Sequence, residues 1–137
     1  MKKTKTNSSQ KLIALANNAR KNAYAKYSGY KVGAALLGKS GKIYTGVNVE
    51  NAVYPLTLCA ERVAIFKAVS EGEREFEAIS VVTDNGGSPC GSCRQVLAEF
   101  GMDMKIYIAN GEEKLLKETT VAQLLPRAFG AGDLAQA

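Results

Sequence analysis

Histidine is missing from this chain of 137 residues. Its absence rules out Ser-His-Asp and Cys-His nucleophilic machinery and every zinc hydrolase built on imidazole ligands. Cysteine is scarce, with three residues. An odd and small number argues against a disulfide framework and fits a compartment where thiols stay reduced. Long hydrophobic runs are also lacking. The apolar stretches fall far short of the roughly 20 residues that a membrane-spanning helix needs. The basic start Met1-Lys2-Lys3-Thr4-Lys5 leads into polar Asn7-Ser8-Ser9-Gln10, and no apolar segment of a secretory signal develops. These absences predict a cytoplasmic protein with no membrane partner. No repeat, linker or composition break divides the chain. Residues 1–137 are therefore read as one domain, with residues 1–7 as a mobile basic tail.

What is present suits a folded domain. The chain is 46% hydrophobic and 23% charged, enough for one buried core under a solvated surface. A net charge of +5 raises the question of nucleic acid. Three of the lysines, however, fall in the first five residues, and the other basic residues are spread along the chain. No cluster of aromatic and arginine residues appears, so a solvated basic surface is the better reading and no nucleic-acid partner is expected.

Apolar spacing outlines the elements. Leu12, Ile13, Ala16, Ala19 and Ala23 predict a helix over about 8–25, with Ser9 as a cap. The run from Val32 to Leu37, the turn Gly38-Lys39-Ser40-Gly41 and alternating Ile43, Thr45 and Val47 predict a hairpin. A helix opens at Cys59, with Val63, Phe66, Ala68 and Val69 as its apolar positions and Gly72 closing it. Strand follows over Phe76–Thr83. A second helix begins after Pro89, with Cys93, Val96, Leu97 and Phe100 on its apolar side. Strands over 105–109 and 114–119 and a short helix capped by Thr120 complete the order. Strand–helix–strand repeats call for an α/β fold, a mixed sheet with helices on its faces. Both cysteine-bearing segments then open helices.

Cys90 and Cys93 have the two-residue separation of a zinc half-site, and Cys59 is a third donor. No fourth cysteine exists, and a closed structural site would have to recruit a carboxylate. Three ligands with one position left for water is the catalytic arrangement. Three thiolates on a divalent ion leave a net charge of roughly −1, which makes a weaker Lewis acid. Helix N-termini offset some of that charge. Arg62 and Arg94, each in a first helical turn beside a ligand, are candidates to bond the thiolates, Arg62 the stronger. The competing reading is a redox Cys-x-x-Cys with an unrelated Cys59. Pro89 before the pair, and a glutamate two residues after the third cysteine, favour zinc.

Glu61 is the best-placed general acid–base. At a helix start next to a ligand, it can face the metal pocket without binding the ion. Its ordinary alternative is a glutamate that stabilises a first helical turn. A cysteine two residues before a glutamate, with Pro-Cys-x-x-Cys about thirty residues on, resembles the signature of zinc deaminases in its three-cysteine form.

The resemblance extends further. Val32-Gly33-Ala34-Ala35-Leu36, Gly46-Val47-Asn48-Val49-Glu50-Asn51-Ala52, Cys59-Ala60-Glu61-Arg62, Pro89-Cys90-Gly91-Ser92-Cys93-Arg94-Gln95-Val96 and Leu124-Leu125-Pro126-Arg127-Ala128-Phe129 are similar, in that order, to the small homotetrameric cytidine deaminases. The resemblance implies a three-layer α-β-α sandwich around a mixed five-stranded sheet and one Zn²⁺ per subunit. It also implies hydrolytic deamination of cytidine and deoxycytidine in pyrimidine salvage, by attack of zinc-activated water at C4 while Glu61 moves the protons. Asn48 and Glu50 match the pair that bonds the ribose hydroxyl. Ala60 matches the position whose N–H binds the pyrimidine carbonyl. Tyr30 stands where the family usually has a Phe stacking near the base, and Phe129 matches an aromatic that reaches a neighbouring subunit's site. Blasticidin-type deaminases share the cysteines and the glutamate and are the nearest rival. Nucleic-acid-editing deaminases typically use a histidine ligand and extra surface, and neither is evident here.

Overall fold

Small residues, more than large apolar ones, decide how the layers meet. The structure, a computed structural model, describes residues 2–134, with side chains from residue 8 onward. Helix α1 spans Lys2–Arg20. It buries Leu12, Ile13 and Ala16 against Ala35, Ala78, Val82 and Tyr107 on one face of the sheet. It starts earlier than the apolar spacing predicts, and the mobility expected of residues 1–7 concerns Met1 and side chains outside the described residues. It also stops earlier than predicted. The backbone N–H of Tyr24 goes to the Asn48 carbonyl and that of Glu50 to the Tyr24 carbonyl, so the chain leaves the helix to pair with 48–50.

Strands β1 (Gly33–Gly38) and β2 (Ile43–Val47) form the expected antiparallel hairpin, with Leu36 opposite Tyr44. A single 3₁₀ turn, Tyr54–Leu56, precedes helix α2, Ala60–Ser70. Gly72, at φ +100°, takes the left-handed conformation that closes α2. Then come β3 (Phe76–Val82), α3 (Gly91–Phe100), β4 (Lys105–Ala109) and β5 (Leu115–Thr120). Thr120 and Gln123 form a reciprocal capping box at α4, Val121–Leu124. A last short helix, α5, spans Ala131–Leu134. The sheet order is β2-β1-β3-β4-β5. The β3/β4 pair is parallel and the others antiparallel. With α1 on one face and α2, α3 and α4 on the other, the three-layer α/β expectation holds. The 3₁₀ turn and α5 were not legible in the spacing. Among the described residues no helix is long and apolar enough to cross a membrane.

The inward face of α2 agrees with the expected one at Ala68 and at Val69, which packs on the core, and departs from it at Phe66. Ala60, Ala64, Ile65 and Ala68 are buried, while Phe66 is exposed. The helix meets β2 at close range. A Cβ on Gly46 would stand 2.4 Å from the Ala60 carbonyl oxygen and 2.5 Å from the Ala64 nitrogen, so helix and strand backbones touch. The helix presents alanines, Ala60 and Ala64, at this approach. Gly46→Ala is expected to destabilise the protein by about 1–3 kcal/mol through overpacking, read as a lower urea midpoint. An unchanged midpoint would refute the backbone contact.

Candidate active site

Strands β2 and β3 both run antiparallel to β1, so they point the same way. The helices that follow them, α2 and α3, therefore start over the same end of the sheet, the carboxyl end where open α/β folds place ligands. Cys59 is the N-cap of α2 and Cys90 the N-cap of α3. Cys93 follows in the first turn of α3, fully buried. Two loops far apart in sequence thus bring three sulfurs together. Cys59 Sγ lies 3.8 Å from Cys90 Sγ, and Cys90 Sγ lies 3.6 Å from Cys93 Sγ. Four-coordinate zinc with bonds of about 2.3 Å sets sulfurs about 3.8 Å apart, and the observed spacings match. Among the described residues these three cysteines form the group that could hold a metal ion. They leave a four-coordinate ion one position short.

The surroundings are charged to suit thiolates. Arg62 Nη2 donates to Cys59 Sγ at 3.3 Å. The Cys59 thiol is pulled down to about 5, first by the hydrogen bond from Cys93 and, against the cost of burial, by Arg62. Cys93 is pushed far up, first by donating to Cys59 and then by burial. Taking up a cation would displace the protons of these thiols. Arg94 departs from the expectation. Its Nε donates to the Pro89 carbonyl at 2.8 Å, Nη1 to the Leu124 carbonyl at 2.9 Å and Nη2 to Ser88 Oγ at 3.0 Å. All three guanidinium nitrogens are occupied by oxygen. Arg94 fixes the peptide just before Cys90 and ties it to α4; it does not bond a sulfur.

Beside the sulfurs lies a cavity of about 300 Å³, lined among others by Tyr30, Asn48, Glu50, Cys59, Glu61 and Cys90. Its size falls in the range of small-molecule sites. Glu61, in the first turn of α2, is 4% exposed. Burial lifts its carboxyl to about 7, and a cation on the thiols would draw it down again. Asn48 is 7% exposed and works first as a clamp. Its Oδ1 accepts from the Val32 N–H at 3.0 Å and its Nδ2 donates to the Tyr30 carbonyl at 2.8 Å. The Glu50 carboxylate accepts from the N–H groups of Tyr27 and Ser28, at 2.8 and 3.0 Å, and from the Ser28 hydroxyl. These bonds hold it below the usual carboxylate range, the hydroxyl contributing most. Ala60, fully buried, opens α2. Phe129 is 57% exposed and does not line this cavity, and its carbonyl accepts from Gln95 Nε2 at 2.8 Å.

A family profile, the cytidine and deoxycytidylate deaminase zinc-binding region, matches residues 6–109 and so covers all three cysteines and Glu61. The chain belongs to this deaminase family. A cytidine deaminase of Sporosarcina psychrophila is 53% identical over 131 residues, 93% of this chain and 96% of that protein. The crystal structure of a cytidine deaminase from Burkholderia pseudomallei superposes with a TM-score of 0.82 at 46% identity, covering 86% of this chain and 96% of that one. A blasticidin-S deaminase of Bacillus cereus matches at 35% over 111 residues, 73% of this chain and 77% of that protein. The chain is a zinc-dependent hydrolytic deaminase, and its three-cysteine group suits one zinc ion.

Several cavity residues of this deaminase carry no sequence signal. Ser28, Thr83 and Ser88 line the site, yet none belongs to a motif. Thr83 alone had a positional hint, since it ends the strand that leads into the Cys90 loop.

Proposed function

We propose that the protein hydrolyses the exocyclic amino group of cytidine, giving uridine and ammonia. The observation that carries this reading is a buried carboxyl, Glu61, on the wall of a nucleoside-scale cavity beside three clustered thiols. Cys59, Cys90 and Cys93 would hold a zinc ion, which would supply activation of water at neutral pH. Glu61 accepts the proton of that water and delivers it to the ring nitrogen next to C4. The second proton of that water, released by the new C4 hydroxyl as it becomes a carbonyl, passes through Glu61 to the leaving nitrogen. A C4–O bond forms, the C4–N bond breaks, and ammonia departs. A buried carboxyl beside the ligands can take up a proton and hand it on. Arg62, on Cys59 Sγ, draws charge from the ligands.

The sugar end falls to Asn48 and Glu50. Asn48 keeps one amide hydrogen free of the clamp, and a carboxylate with three donors still has a lone pair to offer a hydroxyl. The first peptide N–H of α2, at Ala60, binds the pyrimidine carbonyl, as helix N-termini bind electron-rich groups. Phe129, exposed in the single chain, completes a neighbouring site in a homotetramer. Deoxycytidine is a second substrate, in cytoplasmic salvage.

The test compares cytidine, deoxycytidine, cytosine and blasticidin S as substrates of zinc-loaded protein, followed by loss of substrate absorbance and release of ammonia. Turnover of both nucleosides and neglect of the free base are expected. Pure, zinc-loaded protein inert toward cytidine and deoxycytidine would defeat the reading.

A further inference from the structure

The loop between β3 and α3 is anchored twice, by unrelated parts of the chain. Arg94 holds its far end through Ser88 and Pro89, next to Cys90. The near end has another anchor. The Tyr30 hydroxyl donates to Asn85 Oδ1 at 2.7 Å, an ordinary O–H···O distance. Thr83 Oγ1 donates to the same Asn85 oxygen at 3.5 Å and accepts from the Gly87 N–H at 2.8 Å. The phenol also fills the space where Gly87 would carry a side chain, since a Cβ there would lie 2.5 Å from Tyr30 Oη. Tyr30 and Gly87 line the cavity together, whereas Asn85 lies outside its lining and is exposed. The hydroxyl thus reaches past the cavity to a residue that does not line it.

We propose that Tyr30 is a positioning residue. Its hydroxyl latches residues 85–87 so that the cavity wall is set before substrate arrives. Nucleoside binding then depends on the latch, while the zinc site and the chemical step, secured from the other side by Arg94, do not. A wall ordered in advance spares the ordering cost at binding. A loosened wall charges that cost to KM. The inference rests on the reading of this cavity as the nucleoside site, but the latch itself is a property of the free protein.

The test uses full-length, zinc-loaded protein and five variants: Tyr30→Phe, Asn85→Ala, Gly87→Ala and the pairs Tyr30→Phe/Asn85→Ala and Tyr30→Phe/Gly87→Ala. Loss of one neutral hydrogen bond is expected to raise KM for cytidine about fivefold. The two latch variants should show this equally, with kcat within about twofold of the parent and zinc content unchanged, and their combination should add nothing further. Hydrogen exchange at the Gly87 amide should quicken in each, which reads the latch whether or not cytidine is the substrate. Gly87→Ala should raise KM more. Adding Tyr30→Phe to it should restore the Tyr30→Phe value, because that Cβ lies an ordinary 3.7 Å from Tyr30 Cζ. Multiplicative effects of Tyr30→Phe and Asn85→Ala, a fall in kcat at constant KM, or unaltered exchange at Gly87 would each overturn the proposal. Absence of turnover in every form, with exchange quickened as expected, would instead overturn the nucleoside reading and keep the latch.

Discussion

Glu61→Gln is expected to keep its zinc and its fold and to lose at least ~10²–10⁴-fold in kcat, the usual contribution of a positioned general acid–base. Glutamine has the shape of glutamate but cannot take the proton of the attacking water. The site offers no substitute. The chain has no histidine, and the other carboxylate on the cavity, Glu50, is held by Tyr27 and Ser28. Stability should move the other way. A carboxyl that is 4% exposed pays for desolvation whenever it ionises, and the amide escapes that cost. The melting temperature should therefore stay level or rise as turnover collapses. Near-parental turnover in a zinc-replete variant would remove Glu61 from the mechanism.

The second large effect concerns the metal. Cys93 is fully buried, and Cys93→Ser replaces a thiolate by a harder and shorter donor. Retention of zinc against a chelator should fall by more than the ~10–100-fold typical of losing an outer partner. Arg62→Ala, which leaves all three sulfurs in place, should fall within that smaller range. Bound metal stabilises the folded state by mass action. Chelation should therefore lower the melting temperature of the parent protein and leave that of Cys93→Ser nearly unmoved. Equal zinc retention by the parent and Cys93→Ser would exclude that sulfur as a ligand.

Cys59, Glu61 and Arg62 were legible as a group because their spacing is local, whereas the meeting of Cys59 with Cys90, thirty-one residues on, was read from the motif and required the fold. A cysteine at a helix start, a glutamate two residues on and an arginine three residues on lie within one turn, and a turn has few ways to place them. Arg94 shows where such reasoning stops. Its neighbours in sequence are cysteines, yet its guanidinium is taken by Leu124, thirty residues away, a contact no spacing announces. The inward face of α2 was misjudged at Phe66 for a related reason. Hydrophobicity picks out Phe66 and Val63, but α2 meets Gly46 on another element through its backbone at Ala60 and Ala64, and Ala60, Ala64, Ile65 and Ala68 turn inward. Asn48 was legible as a polar cavity residue through the family resemblance. Its clamp between Tyr30 and Val32 required the fold.

The contact between Gly46 and the first turns of α2 bears on how this protein can change over evolutionary time. Where layers meet through side chains, each exchange of one core residue for another shifts the layers slightly, and a site on their rim drifts with them. Here the separation of strand and helix is fixed by peptide groups, whose dimensions no substitution alters. Glu61, one residue beyond Ala60, inherits that fixed position. Substitutions elsewhere in the core can thus raise or lower stability while the Glu61 carboxyl stays close to its place.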